Sequence, residues 1–258
     1  MSGLLLRLAG PLQSWGERSA FTPVRETALF PTRSALIGMF AAAQGIARGD
    51  TAGLKKYEQV RLTVRVDRPG TLLEDYHTVG GGFPKERTAA TSGGSNKDAA
   101  VITRRQYLTD AVFVVAVTAP DDLTAQLAAA LRRPFWAPYL GRRSCPPDEP
   151  FLLRRHVDDP ENELLTGVPL TSPELRDGAE QSVAVQFLRE RALPDGGPGA
   201  AADVIEVNDM PVSFAPHGRA HASRRLYRTV EPVHRSLAGP QKSLLTRLID
   251  YAHAEEPA

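Results

Sequence analysis

The chain opens on an apolar run at residues 3–8, Gly-Leu-Leu-Leu-Arg-Leu, which reads as a strand ended by the turn pair Gly10-Pro11. The residues from there to Phe30 are irregular and polar. After Pro31-Thr32, the side chains Leu36, Met39, Phe40, Ala43 and Ala47 recur at helical spacing, which predicts a helix with one apolar face, stopped at Gly49-Asp50. Residues 60–66 then alternate with period two, as a half-buried strand does, and residues 71–78 form a second extended segment. Residues 107–118, with Val112, Phe113, Val114, Val115 and Val117, read as one buried strand. Residues 121–132 place Leu123, Leu127 and Leu131 in line on a helix, and a last strand is expected at Tyr139-Leu140.

This order, β-α-β-β-α-β, predicts an α+β fold with the ferredoxin-like arrangement that RNA-recognition domains also use. The expected domains are residues 1–150, interrupted by an insertion at about 76–107, and a smaller β-rich domain or extension at 151–258. In that second part the apolar runs at 183–188, 204–207 and 226–230 read as strands, residues 242–253 as a closing helix, and residues 194–199 as a flexible loop.

Composition changes this picture little, but charge placement does. The 258 residues are 42% hydrophobic and 24% charged, an ordinary globular balance, and the net charge of +1 points to no partner. Along the chain, however, residues 1–150 carry 19 Lys and Arg against 14 Asp and Glu, residues 154–214 carry 5 against 12, and residues 215–247 carry 7 basic groups and only Glu231. A positive surface is expected where the basic tail meets the N-terminal half. The longest apolar run, residues 111–119, is far short of the roughly 20 that cross a bilayer. The single cysteine, Cys145, excludes an internal disulfide and a multi-thiolate zinc site, and fits a reducing cytoplasm.

No Walker loop, HExxH pair, EF-hand loop or serine elbow is present, and the sequence implies no cofactor and no metal. Gly80-Gly81-Gly82 joins no strand to a helix, so it reads as a hinge rather than a dinucleotide loop. The insertion carries five glycines over residues 80–106 and few large apolar side chains, so it cannot be core; a long irregular loop of this kind is usually functional or disordered. Lys85, Arg87, Lys97, Arg104 and Arg105 can neutralise phosphates there, while Tyr76, His77, Phe83 and Tyr107 offer planes for unstacked bases. Trp15 either stacks on a base or plugs the sheet end. Arg33 and Ser34 open the first helix, where free backbone N–H groups form a generic phosphate site or a plain cap. Arg142-Arg143 and Arg224-Arg225 with Arg228 could hold phosphate bidentately or be solvated surface groups. A metal-free ribonuclease would need a base and an acid such as His77, Tyr76 and Lys85, and a pure protein scaffold would pair the basic groups with the acidic middle segment.

The run 6–16, Leu-Arg-Leu-Ala-Gly-Pro-Leu-Gln-Ser-Trp-Gly, and the run 31–38, Pro-Thr-Arg-Ser-Ala-Leu-Ile-Gly, resemble the CasD family of CRISPR-associated proteins. The similarity continues through Asp75-Tyr76-His77-Thr78, Arg105-Gln106-Tyr107-Leu108-Thr109-Asp110 and Tyr139-Leu140-Gly141-Arg142-Arg143-Ser144-Cys145-Pro146, in the manner of the type I-E branch, and more weakly to Arg224-Arg225-Leu226-Tyr227-Arg228. The resemblance implies a ferredoxin-like palm with a protruding thumb, in a subunit that caps the 5′ handle of the crRNA within the Cascade surveillance complex. It implies CasC backbone subunits and the large CasA subunit as neighbours, target DNA as an indirect partner through the complex, and no membrane. It also implies RNA contacts from Gln13, Ser14, Trp15, Arg33, Ser34, Tyr76, His77, Lys85, Arg87, Arg104, Arg105, Gln106, Tyr107, Arg142 and Arg143. Binding without catalysis is the expectation; a metal-independent endoribonuclease that processes repeat RNA is the alternative, because some relatives cleave. The acidic, Pro- and Gly-interrupted region at 158–209 departs from the family pattern, and no catalytic set maps onto this chain.

Overall fold

The computed structural model describes residues 2–16, 22–80, 84–87, 100–171, 181–193, 203–214 and 220–254. The expected loop at 194–199, and Phe83 and Lys97 of the insertion, lie outside them. The first strand, β1 (Ser2–Ala9), is buried along its whole length. Its leucines alternate between two cores: Leu4, Leu6 and Leu8 join one, and Leu5 the other. A strand covered on both faces has no use for a polar side, which is why the run is nearly all leucine.

β1 lies between β7 (Val112–Ala119) and β8 (Leu152–Val157), and β7 pairs in turn with β4 (Arg61–Arg68). These pairs are all antiparallel, and β4-β7-β1-β8 is one end of a seven-stranded sheet, with β8 at its edge. The helices α1 (Arg33–Ala43) and α3 (Asp121–Arg132) supply Leu36, Phe40, Leu123 and Leu127 to the core on one face. On the other face α4 (Pro160–Thr166) supplies Leu164, and α5 (Gln241–His253) supplies Leu244 and Leu248. Among the described residues no helix is long and apolar enough to cross a membrane.

Several boundaries differ from the sequence reading. Helix α1 ends at Ala43, because Gly45 at φ 73° turns the chain back and its N–H donates to Ala42 O at 3.1 Å; Asp50 instead caps the short helix α2 (Thr51–Lys55). The expected strand 107–118 is two strands. β6 (Val101–Thr109) belongs to another sheet, and Asp110, at φ 55°, makes the turn into β7. The strand that follows α3 in this sheet is β8, not Tyr139-Leu140, which lies in a loop stapled by Leu140 to Ser14 and Cys145. The boundary expected at residue 150 therefore falls inside one sheet. β9 (Ser182–Arg189) pairs with β4, and β11 (Ala220–His234) and β10 (Asp203–Ser213) continue outward as an extension of it. β4 is also not half-buried, since its polar face carries Arg65 and Asp67 into the second core.

The described ends of the insertion, residues 76–79 and 101–107, are paired. β5 (Thr71–Val79) and β6 form a nine-residue antiparallel ribbon, and β6 pairs on its other side with β2 (Leu12–Gln13) and, in parallel, with β3 (Val24–Arg25). Alternation along this ribbon escapes a hydrophobicity scan because neither face of its outer half meets a core.

Candidate nucleic-acid interface

The register of the ribbon decides which side chains meet. Leu73 faces Tyr107, Asp75 faces Arg105 and His77 faces Thr103, so these six share one face; Glu74, Tyr76, Gln106 and Arg104 share the other. On the first face the His77 Nε2 pairs with the Asp75 carboxylate, and the His77 ring lies 6.5 Å from that of the buried Tyr107. The parallel pairing of β3 sets Arg25 directly beside Arg105.

A third arginine arrives from the loop after α3. Gly141, at φ 83°, lets that loop press on β2, where a Cβ would sit 1.7 Å from the Ser14 carbonyl oxygen. The next residue, Arg142, places its guanidinium 4.6 Å from the Tyr107 ring centroid, and its Nη2–H donates to the Arg25 carbonyl at 2.9 Å. Its Nη1 is buried and without a hydrogen-bond partner. Burial first, and then the charges of Arg105 and Arg142, hold the Arg25 guanidinium below its ordinary value. Among the described residues no carboxylate forms an ion pair with Arg25, Arg105, Arg142 or Arg143. Like charges held together this way raise each other's energy, and an anion placed among them lowers it. The planar, multidentate donors of arginine suit phosphate.

Other predicted contact residues sit elsewhere. Gln13 is fully buried; its amide donates to Leu8 O at 3.1 Å and to Ala111 O at 2.7 Å, and its oxygen accepts from Trp15 Nε1–H at 3.1 Å. Trp15 is 0% exposed, a core plug rather than an open stacking plane. Ser14 is buried and its hydroxyl donates to Gln106 O, so both residues serve to bolt β2 onto β6. At the start of α1 the anion is internal: the Arg33 N–H donates to Asp209 Oδ2 at 2.6 Å. The Arg33 Nη1 donates to both Glu190 carboxylate oxygens at 2.8 and 3.0 Å, and Ser34 is buried. No phosphate can enter a helix N-terminus already filled by a carboxylate.

Tyr76 is 62% exposed on the second face of the ribbon, with Arg104 across from it and paired to Glu74 at 3.3 Å. Lys85 and Arg87 lie in a single 3₁₀ turn at the ribbon's far end, and Arg87 and Arg143 are exposed. The positive surface expected from the basic tail does not form around Arg224 or Arg228. Arg224 donates to Asp209 at 2.5 and 2.7 Å and to Glu190 at 3.0 Å, and Arg228 pairs with Asp203 at 2.7 Å. Among the described residues no three His, Cys, Asp or Glu side chains gather to hold a metal ion.

A family model described as CRISPR-associated protein (Cas_Cas5) matches residues 3–227. The chain belongs to the Cas5 family. Among the family's relatives it is 40% identical, over 182 residues, to the CRISPR system Cascade subunit CasD of Escherichia coli (strain K12), covering 66% of this chain and 78% of that one. In structure it matches a chain of a "CRISPR RNA-guided surveillance complex" with a TM-score of 0.84 at 45% identity, covering 97% of this chain and 99% of that one. A "Crystal structure of Cas protein" matches with a TM-score of 0.60 at 28% identity, covering 92% and 97%. In this Cas5 chain the residue that sequence reading missed is Arg25. It stands alone in a polar stretch, and only the two-residue parallel pairing to β6 reveals its neighbours.

Proposed function

We propose that this Cas5 chain is a Cascade subunit that binds the 5′ repeat-derived end of a guide RNA and does not cut it. In this reading β4-β7-β1-β8 with α1 and α3 is the ferredoxin-like palm, since the strand order and the two helices on one face agree with that arrangement. The β5–β6 ribbon is the thumb. One observation carries the proposal: Arg25, Arg105 and Arg142 converge at the thumb base and, among the described residues, none of them is ion-paired, the Asp75 carboxylate opposite Arg105 being taken by His77. Phosphates of a single strand supply the missing charge, with Arg143, Arg87, Lys85 and Tyr76 as further contacts along the thumb. CasC backbone subunits and the CasA large subunit are its proposed neighbours, with target DNA reached through the assembled particle in the cytoplasm.

Binding rather than cleavage is supported by the ribbon's geometry. Tyr76 and His77 are consecutive strand residues and project to opposite faces, so they do not close around one phosphodiester. The test is the salt dependence of handle-RNA binding. Each neutralised phosphate on a single strand contributes a log–log slope of about 0.7. The Arg105→Gln, Arg142→Gln double variant is expected to lose between one and two such increments together with affinity. An unchanged slope, or cut repeat RNA from the purified chain in EDTA that disappears in His77→Ala, refutes the proposal.

A further inference from the structure

Two aromatic side chains stand side by side on the loop after α3, Phe135 at 69% exposure and Trp136 at 57%. They are not loosely held. The Phe135 N–H donates to Ala43 O at 2.9 Å and the Trp136 N–H to Ala42 O at 3.3 Å, so the pair satisfies carbonyls at the end of α1. The Phe135 ring lies against Gly45, where an added Cβ would be 3.1 Å from its Cγ. The two rings meet edge to face, with centroids 5.2 Å apart and planes at 75°. A ligand arriving here need not first order the platform.

The charge around the pair selects its ligand. From residue 123 to residue 147 the chain has no Asp or Glu, and it has four arginines, Arg132, Arg133, Arg142 and Arg143. Three of these are exposed, and the fourth, Arg142, belongs to the arginine cluster, in which no ion pair forms among the described residues. The centres of protein–protein interfaces are depleted in charge, whereas single-strand binders combine a cationic track with aromatic faces. Six residues separate Trp136 from Arg142, a reach of at most ~20 Å. We infer that Trp136, backed by Phe135, is a second stacking platform for single-stranded RNA, at the far end of a track that begins at Arg25, Arg105 and Arg142. This rests on the RNA-binding reading above and adds a base contact to it.

The chain itself carries the reporter. It has two tryptophans, and Trp15 is fully buried, so fluorescence quenching on RNA addition reads Trp136. The probes are oligoadenylates of roughly 4 and roughly 12 nucleotides, which bracket usual single-strand site sizes. With the full chain, and with binding read by anisotropy of end-labelled probes because the variants lack the tryptophan reporter, Trp136→Ala is expected to weaken binding of the longer probe by between about 5- and about 150-fold, the range for one stacked base. The shorter probe, held at the arginines, is expected to bind as before. The salt slope stays the same, because stacking releases no counterion. Trp136→Phe restores most of the affinity. Unchanged binding in Trp136→Ala, while the Arg105, Arg142 double variant still binds weakly, overturns this inference and leaves the RNA-binding reading standing. A wild-type chain that binds neither probe overturns both. A Trp136→Ala chain that keeps RNA but no longer joins companion subunits makes the patch a protein contact and overturns the inference alone.

Discussion

The arginines of β4, β9 and α1 and those at the thumb base are the same side chain in opposite circumstances. Arg65 is 0% exposed and uses all five donors. Nε and Nη2 hold Asp67 at 2.6 and 3.1 Å, and the remaining donors take the carbonyls of Leu164, Val168 and Pro169 at 2.5 to 3.1 Å. Arg189 is buried against Glu231 and Thr229, and Arg33 and Arg224 share Glu190 and Asp209. Arg142 and Arg105 have carbonyl, hydroxyl and ring contacts, and among the described residues neither they nor Arg25 forms an ion pair. The first group spends its charge on the fold, tying α1, α4 and the outer strands to the sheet. The second holds charge in reserve. What distinguishes the proposed ligand site is therefore the lack of an ion pair among the described residues and not the arginine, and the acidic region at 158–209 acts partly as an internal neutraliser through Glu190, Asp203 and Asp209.

The largest expected effect is in the first group. Asp67→Asn leaves a buried guanidinium without its partner and should lower unfolding stability by about 3–5 kcal/mol in a denaturant titration, with RNA affinity of the folded fraction unchanged. A loss below about 1 kcal/mol would mean that the carbonyls alone hold Arg65. Next come the neighbours Arg104 and Arg105, which differ by one position and one face. Arg105→Gln should weaken single-strand binding by about tenfold, roughly the 1.4 kcal/mol expected for a charged contact, with stability changed by less than about 1 kcal/mol. Arg104→Gln, whose side chain already answers to Glu74, should cost less binding than that; equal losses would place the RNA on both faces of the ribbon.

A smaller effect lies in pH. Burial pushes the Tyr57 phenol well above the ordinary tyrosine range, and burial with the Glu163 hydrogen bond does the same for Tyr251. The unfolded chain ionises these groups first, so their stabilisation, complete below about pH 10, is lost as pH rises through and beyond it. Tyr57→Phe should flatten part of that decline in thermal melts. Smallest of all is Arg228→Ala. Its pair with Asp203 is solvent-exposed on both sides, 45% and 72%, and removing it should change stability by no more than about 1 kcal/mol.

The palm was largely legible in the sequence because its elements obey simple periods. α3 falls at 121–132 as expected, and β1 and α5 lie within a residue of their expected limits, since each presents one consistent apolar pattern. Of the residues gathered at the proposed site, Arg105, Tyr107 and Arg142 were singled out from the sequence and Arg25 was not, because a two-residue pairing between segments 80 positions apart leaves no trace in local composition. Trp15 and Arg33 show the reverse failure. Sequence gives a residue's chemistry without its occupant, and both were already engaged, by Gln13 and Glu190. The half-buried reading of β4 failed for the same reason, because Arg65 finds its partners in carbonyls about 100 residues away.

Strand β6 pairs with β5 along one edge and with β2 and β3 along the other. Arg105 is part of it, Arg25 hangs on it through β3, and the Gly141 turn that carries Arg142 bears on β2. The three guanidinium groups thus share one axle. A substitution that shifts β6 therefore disturbs the anchorage of all three side chains at once.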